Sequence, residues 1–233
     1  MLAFERIEDI PRGVYQILVA DPPWRFKTYS EKGKLKKSAE RHYSTMDLLE
    51  IGRLPVAELA APDCALFLWA TAPMLREALW LMEKWNFEYK SNLVWGKTTR
   101  HGRIAFGTGY RIRNSHEMLT LGVRGNPKNT KTERSLIMAQ VREHSQKPEE
   151  SYSLIERWLP GARRLDLFGR TRRPGWDIFG DQIGKFDHDD EAAGQQLQNH
   201  PRQGRQNEGD PGPQGPARQA EPVEAVAGPG GGE

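Results

Sequence analysis

The 233-residue sequence holds one cysteine, Cys64, which excludes an internal disulfide and a cysteine-rich zinc site. Its six histidines show no metal-ligand spacing, so no metal is expected. No apolar run approaches the roughly 20 residues that a membrane span needs. No N-terminal targeting signal stands out either, so the expectation is a cytoplasmic protein with no membrane partner. From Asp187 to Glu233 there is no Phe, Trp, Tyr, Ile or Met, while nine Gly and six Pro fall within those 47 residues. Such a stretch cannot bury enough apolar surface to offset its ordering entropy. The expected organisation is a folded domain over 1–186, carrying all seven Trp, and a disordered Gly/Pro/Gln-rich acidic tail over 187–233.

Charge divides along the same line. The tail has nine acidic residues against Arg202, Arg205 and Arg218, and the body keeps 31 basic and 22 acidic residues, a net +9. A body that basic suits a polyanion partner. Cys64 sits in the apolar run Cys64-Ala-Leu-Phe-Leu-Trp69 and reads as a small core residue.

Short apolar, β-rich runs alternate with helical patterns in the body, the signature of an α/β domain with a largely parallel sheet. Strands are expected at Val14–Ala20, Ala65–Trp69, Tyr89–Trp95, Met118–Val123 and Arg164–Phe168. The first must stop at Asp21-Pro22-Pro23, because two prolines cannot continue a central strand. Helices are expected at Thr45–Gly52, capped by Ser44 or Thr45, at Met74–Trp85 and at Pro148–Leu159. The last has Pro early and two acids in its first turn, both favourable there.

Two stretches lack periodicity. Phe26–Tyr43 contains Lys27, Lys32, Lys34, Lys36, Lys37 and Arg41; Lys97–Asn114 contains Arg100, His101, Arg103, Arg111 and Arg113 around Phe106 and Tyr110. Basic side chains interleaved with aromatics are what phosphates and unstacked bases use. Long loops inside a compact domain are more often functional than not. Lys34, Lys36, Lys37, Arg100, Arg103, Arg111 and Arg113 are the expected nucleic-acid contacts.

The informative tetrapeptide is Asp21-Pro22-Pro23-Trp24, directly after the strand Ile17-Leu-Val-Ala20. Ligands of open α/β sheets bind outside the carboxyl ends of the strands, so Asp21 stands where a site belongs. The exocyclic amine of adenine is a poor nucleophile because its lone pair is delocalised into the ring. Two acceptors that take its N–H protons can aim that lone pair at an electrophile. The Asp21 carboxylate supplies one acceptor and the Pro22 carbonyl another, with the proline rings fixing its direction. Trp24 offers a face for base stacking, worth about 1–3 kcal/mol. Positioning comes first in such chemistry and electrostatic stabilisation second.

These residues carry a resemblance. Residues 15–183 resemble the adenine N6-methyltransferases of the methyltransferase-A-seventy family. The match runs through Ala20-Asp-Pro-Pro-Trp24, Tyr43-Ser-Thr-Met46, Leu66-Phe-Leu-Trp69 and Asn92-Leu-Val-Trp95 with Lys97. It continues through His116-Glu117, Gly122-Val-Arg-Gly-Asn-Pro127, His144-Ser-Gln-Lys-Pro148, Leu167-Phe-Gly-Arg170 and Gly180-Asp-Gln182.

The resemblance implies a Rossmann-like fold whose catalytic motif precedes the cofactor-binding segment. That order accounts for the lack of a Gly-rich loop near the N-terminus. It implies methyl transfer from S-adenosylmethionine to N6 of adenine in nucleic acid. DNA is the preferred substrate; the alternatives are an RNA adenosine N6-methyltransferase and a catalytically silent nucleic-acid-binding subunit. Asp21, Pro22, Pro23 and Trp24 match the catalytic motif. Tyr43 and Glu117 match positions lining the adenine pocket, and Lys147 matches a lysine between substrate and cofactor. Asp21, Lys147, Asp166, Arg170, Asp181 and Gln182 match cofactor-contacting positions. The eukaryotic members have Asn where this chain has Asp181, which implies an altered hydrogen bond there.

Overall fold

A computed structural model describes residues 1–24, 46–109, 111–143 and 145–187. The described residues build one eight-stranded sheet. The strands are β1 (Ala3–Phe4), β2 (Tyr15–Ala20), β3 (Ala60–Ala70), β4 (Glu88–Thr98), β5 (His116–Arg124), β6 (Leu136–Gln140), β7 (Arg164–Leu167) and β8 (Trp176–Phe179). Their spatial order is β1-β8-β7-β2-β3-β5-β4-β6. Every neighbouring pair is parallel except those β5 makes with β3 and β4. The sheet is therefore largely parallel, as its apolar runs predict, with one reversed strand inside it.

Period-two alternation divides the core between the two faces. Leu18 and Ala20 of β2, with Leu66, Leu68 and Ala70 of β3, share one apolar cluster. It is closed by α1 (Leu48–Gly52), α2 (Val56–Leu59) and the amphipathic α3 (Leu75–Lys84), whose Ala78, Leu81 and Met82 face inward. Ile17, Val19, Ala65, Phe67 and Trp69 point the other way, onto Leu154 and Ile155 of α4 (Glu149–Trp158). A register shift between Tyr15 and Ile17 breaks the alternation and puts Tyr15 on the same face as Leu18. There its hydroxyl donates to Asp177 Oδ2 at 2.9 Å, while Leu2 N donates to Oδ1 at 2.7 Å. The Leu2 bond ties the N-terminal segment to β8, and the two together satisfy a buried carboxylate.

Several elements run differently from their sequence pattern. β3 begins five residues earlier than Ala65, and β4 runs on through Thr98, so Lys97 is a strand residue rather than the start of a loop. Helix α1 is capped by Asp47 instead of Ser44 or Thr45. The Asp47 carboxylate accepts from Leu49 N, and Glu50 reaches back to Asp47 N, a capping box. β6 and β8 carry no strong pattern. β6 alternates at the sheet edge, burying Ile137 and Ala139 only, and β8 is four residues long with Asp177 inside it. Cys64 is fully buried, and desolvation pushes its thiol up to about 12, in keeping with a core residue. Asp187, the first residue of the expected tail, is held by Arg172 through N–Oδ1 (2.8 Å) and Nη1–Oδ2 (2.7 Å) bonds. The rest of the tail lies outside the described residues.

Candidate active site

Parallel strands end together, and the break in their winding falls between β2 and β7. The chain leaves β2 toward β3 on one side, whereas β7 leads to β8 on the other. A crevice opens at such a switch point, outside the carboxyl ends. Asp21 stands there, its N–H donating to Leu167 O of β7 at 3.3 Å. The following turn is closed by Trp24 N to Pro22 O (2.8 Å) and Met46 N to Pro23 O (3.0 Å). Among the described residues, Pro22 O accepts only from Trp24 N, which leaves it a second lone pair. Trp24 is 4% exposed and packs in the apolar cluster with Leu18 and Ile51, so its indole forms a wall of the core rather than an open stacking face.

Two further chain segments reach the same edge. β5 runs antiparallel, so its beginning, not its end, lies beside the carboxyl ends, and this delivers Glu117. α4 returns from β6 toward β7, so Lys147, just before its first turn, arrives there too. Ser145, two residues earlier, has φ 71°, and Phe168, just past β7, has φ 64°. A left-handed backbone at an aromatic costs of order 1–3 kcal/mol and is held by its surroundings.

Lys147 Nζ lies 2.9 Å from Asp21 Oδ2 and 3.3 Å from Glu117 Oε2. Lys97 Nζ lies 2.6 Å from Glu117 Oε1. The result is an alternating chain, Asp21–Lys147–Glu117–Lys97, with two charges of each sign. Burial alone would lower the Lys147 ammonium, but Asp21 and Glu117 outweigh it and raise its pKa. Burial likewise resists the charged form of Glu117, yet Lys147 and Lys97 hold its carboxyl down at about 2. The lysines rest on indoles: Lys147 Nζ is 5.4 Å from the Trp69 ring centre, and Lys97 Nζ is 4.8 Å from that of Trp95.

Asp166 is the second acidic centre. On β7 it lies between Val19 of β2 and Ile178 of β8, 6% exposed. Desolvation pushes its carboxyl up to about 7, against a hydrogen bond from Tyr152 and the nearby Arg173. Asp21 adds to the rise and Lys147 opposes it, so the two acidic centres share one electrostatic site. Gly169 makes room for this carboxyl: a Cβ there would sit 2.9 Å from Asp166 Cγ and 2.7 Å from Ile178 Cγ1. A Cβ on Gly180 would meet Gly169 O at 2.6 Å. The backbones after β7 and β8 therefore touch, forming a compact cradle beside Asp166.

The structure thus brings Asp21, Glu117, Lys147 and Asp166 together. Arg170, buried, lies on the turn after β7; Asp181, exposed, and Gln182, half-buried, follow β8 at the same edge. Arg100, Arg103, Arg111 and Arg113 are exposed on the β4–β5 connection, which rises from that edge beside Glu117. Arg113 lies over Phe106 at 5.2 Å. Tyr43, Lys34, Lys36 and Lys37 lie outside the described residues. Sequence reasoning gave Lys97 no role, although period two places it on the face of Trp95. It missed Tyr152 altogether; the available signal was helical spacing, which puts Tyr152 on the buried stripe with Ile155.

An open, mostly parallel sheet with an acidic-basic cluster and an Asp-Pro-Pro-Trp turn at its switch point defines an α/β fold of the class that binds ligands at the carboxyl ends of its strands. Residues 15–182 match the MT-A70 family, and the chain belongs to it. It is 31% identical over 197 residues to the type II methyltransferase M.MunI of a Mycoplasma species, spanning 77% of this chain and 82% of that one. It is 33% identical over 176 residues to the MT-A70-like N(6)-adenosine-methyltransferase of Arabidopsis thaliana, and 33% over 177 to the N(6)-adenosine-methyltransferase catalytic subunit METTL3 of Homo sapiens. Each of these alignments covers 73% of this chain, but only 24% and 28% of the relatives' own lengths.

Proposed function

We propose that this chain transfers a methyl group from S-adenosylmethionine to N6 of adenine in nucleic acid, with DNA as the preferred substrate. The observation that carries this reading is Asp21 at the switch point, Oδ2 paired to Lys147 and Oδ1 reached by no donor among the described residues. Family membership and the named activities of the adenosine-methyltransferase relatives support the same chemistry. DNA is favoured because the correspondence with the type II methyltransferase extends over most of both chains. The RNA reading draws on the 33% identity to the adenosine enzymes.

The site's chemistry fits the cofactor. A buried carboxylate, Asp166, suits hydroxyl or amine donors, and Lys147 and Arg170 supply cationic donors. Asp181 and Gln182 border the same edge. S-adenosylmethionine, bound there, supplies an electrophilic methyl group on a sulfonium. Asp21 Oδ1 and Pro22 O accept the two N6 protons of the target amine and orient its lone pair. Asp21 is also placed to take the proton that the methylated nitrogen sheds. Lys147 holds Asp21 in place, while Glu117, engaged by two lysines, fixes Lys147. The target amine lies inside the stack of a duplex, so the base must be flipped or single-stranded to reach Asp21. The exposed arginines beside Glu117 are positioned to track the backbone phosphates.

Cofactor binding tests this first. Saturating S-adenosylmethionine, near 100 times its Kd, stabilises a folded chain by about 2.7 kcal/mol. For a domain of this size that raises the melting temperature by roughly 5–10 °C. No shift at saturation would overturn the reading.

A further inference from the structure

Tyr152 takes no part in the ion-pair chain, yet its setting is more constrained than a core aromatic requires. It is the fourth residue of α4 and 9% exposed. Its hydroxyl donates to Asp166 Oδ2 at 3.0 Å, across the boundary between helix and sheet. The Arg173 guanidinium covers the ring at 3.9 Å from its centre and pairs with Glu149, one helical turn before Tyr152. Trp176 meets the ring edge-on at 5.4 Å and donates its indole N–H to Glu156 Oε1 at 2.7 Å. The phenol is thus fixed on its face, its edge and its hydroxyl. Among the described residues no donor reaches Asp166 Oδ1.

We propose that Tyr152 is a positioning residue: its hydroxyl fixes one oxygen of Asp166, turning the other toward a hydroxyl or amine of the cofactor, and ties the helix behind Lys147 to the cofactor side of the site. The inference rests on the reading of Asp166 as a cofactor contact. The groups facing Asp166 are Tyr152 from α4, Arg173 from the loop after β7, Asp21 from the end of β2 and Lys147 from before α4. Two of the three that favour its charged form, Tyr152 and Arg173, belong to the clamp. Loss of the phenol hydroxyl removes a donor to the carboxylate, so Asp166 stays protonated to higher pH. A ligand needing an acceptor there then binds less tightly near neutrality and recovers as the pH rises.

The test is titration of S-adenosylhomocysteine by calorimetry from pH 6 to 9 into the full chain, its Tyr152→Phe variant and its Asp166→Asn variant. Comparing variant with parent cancels the ligand's own titration. We expect Tyr152→Phe to weaken binding about tenfold at pH 7, with the loss shrinking toward pH 9, because a hydrogen bond to a charged group is lost. Equal weakening at every pH, or none, would overturn the inference. Asp166→Asn should bind weakly across the range; parent-like binding would overturn the cofactor assignment of Asp166 and the inference with it. Should Tyr152→Phe not fold, Arg173→Gln keeps the phenol but removes the cation. It should shift the same pH dependence upward by a smaller amount, and an unshifted profile would overturn the inference.

Discussion

Lys147 and Asp21, 126 positions apart in the chain, meet as a buried ion pair of 2.9 Å at the carboxyl edge of the sheet. The pair joins the two halves of the candidate site, since Lys147 precedes α4 while Asp21 ends the central strand β2. A buried pair is weak evidence of net stabilisation, but removing one partner leaves an uncompensated charge. The pair therefore separates function from stability in a testable way.

Asp21→Ala removes the proposed amine acceptor and leaves Lys147 paired with Glu117. We expect methyl transfer to fall at least about 10²–10³-fold, the scale of losing one positioned electrostatic group. S-adenosylmethionine affinity should stay nearly unchanged. Single-turnover rates alongside calorimetry check both, and full activity would show that the acceptor has been misplaced.

Lys147→Met leaves Asp21 without its cation and Glu117 with Lys97 alone. The expected loss of stability is about 3–5 kcal/mol, read as a drop in the urea midpoint. Adding Asp21→Asn removes the stranded charge and should recover part of it. Additive losses in the double variant would mean that the two side chains do not interact.

Glu117 predicts how stability depends on pH. Its folded carboxyl titrates near 2, below the ordinary 4.5. A lowered carboxyl contributes stability that is fully present above about 4.5 and lost as the pH falls toward 2. The stability difference between the parent chain and Glu117→Gln, from urea unfolding at pH 3 to 6, should shrink as pH falls. A difference constant over that range would contradict the two-lysine environment.

Gly169→Ala tests the cradle. The added methyl meets both Ile178 and the Asp166 carboxyl group inside 3 Å, and neither neighbour is a flexible chain end. We expect a stability loss of about 1–3 kcal/mol from overpacking and weaker cofactor binding from a displaced Asp166. Parent-like values of both would show that the turn after β7 relaxes freely.

The central strand and its stop were legible because Val19 and Ala20 run straight into two prolines. Asp21 was legible as a site residue because a strand end in a parallel sheet is where ligands bind. The reversed direction of β5 was not, since an apolar run reads the same either way, and only that reversal brings Glu117 to the site. β8 was hidden because Asp177 interrupts it, a charge that makes sense only once Tyr15 and Leu2 are seen to satisfy it. The cap of α1 was misread because Ser44 and Thr45 are good caps too, and only the backbone shows that Asp47 accepts the bond. Trp24 was expected to present a stacking face, but its position beside α1 draws the indole into the core. Tyr152 escaped because its role depends on contacts between α4, β7 and the loop before β8.

The most direct measurement is methyl transfer from labelled S-adenosylmethionine to unmethylated duplex DNA and to total RNA, side by side, followed by nucleoside digestion and mass spectrometry. The account predicts label in N6-methyldeoxyadenosine from the DNA, and none with Asp21→Ala. Label confined to N6-methyladenosine from RNA would keep the chemistry and overturn the preferred substrate. Label at any position other than adenine N6, or no transfer to either substrate by a chain that binds the cofactor, would contradict it.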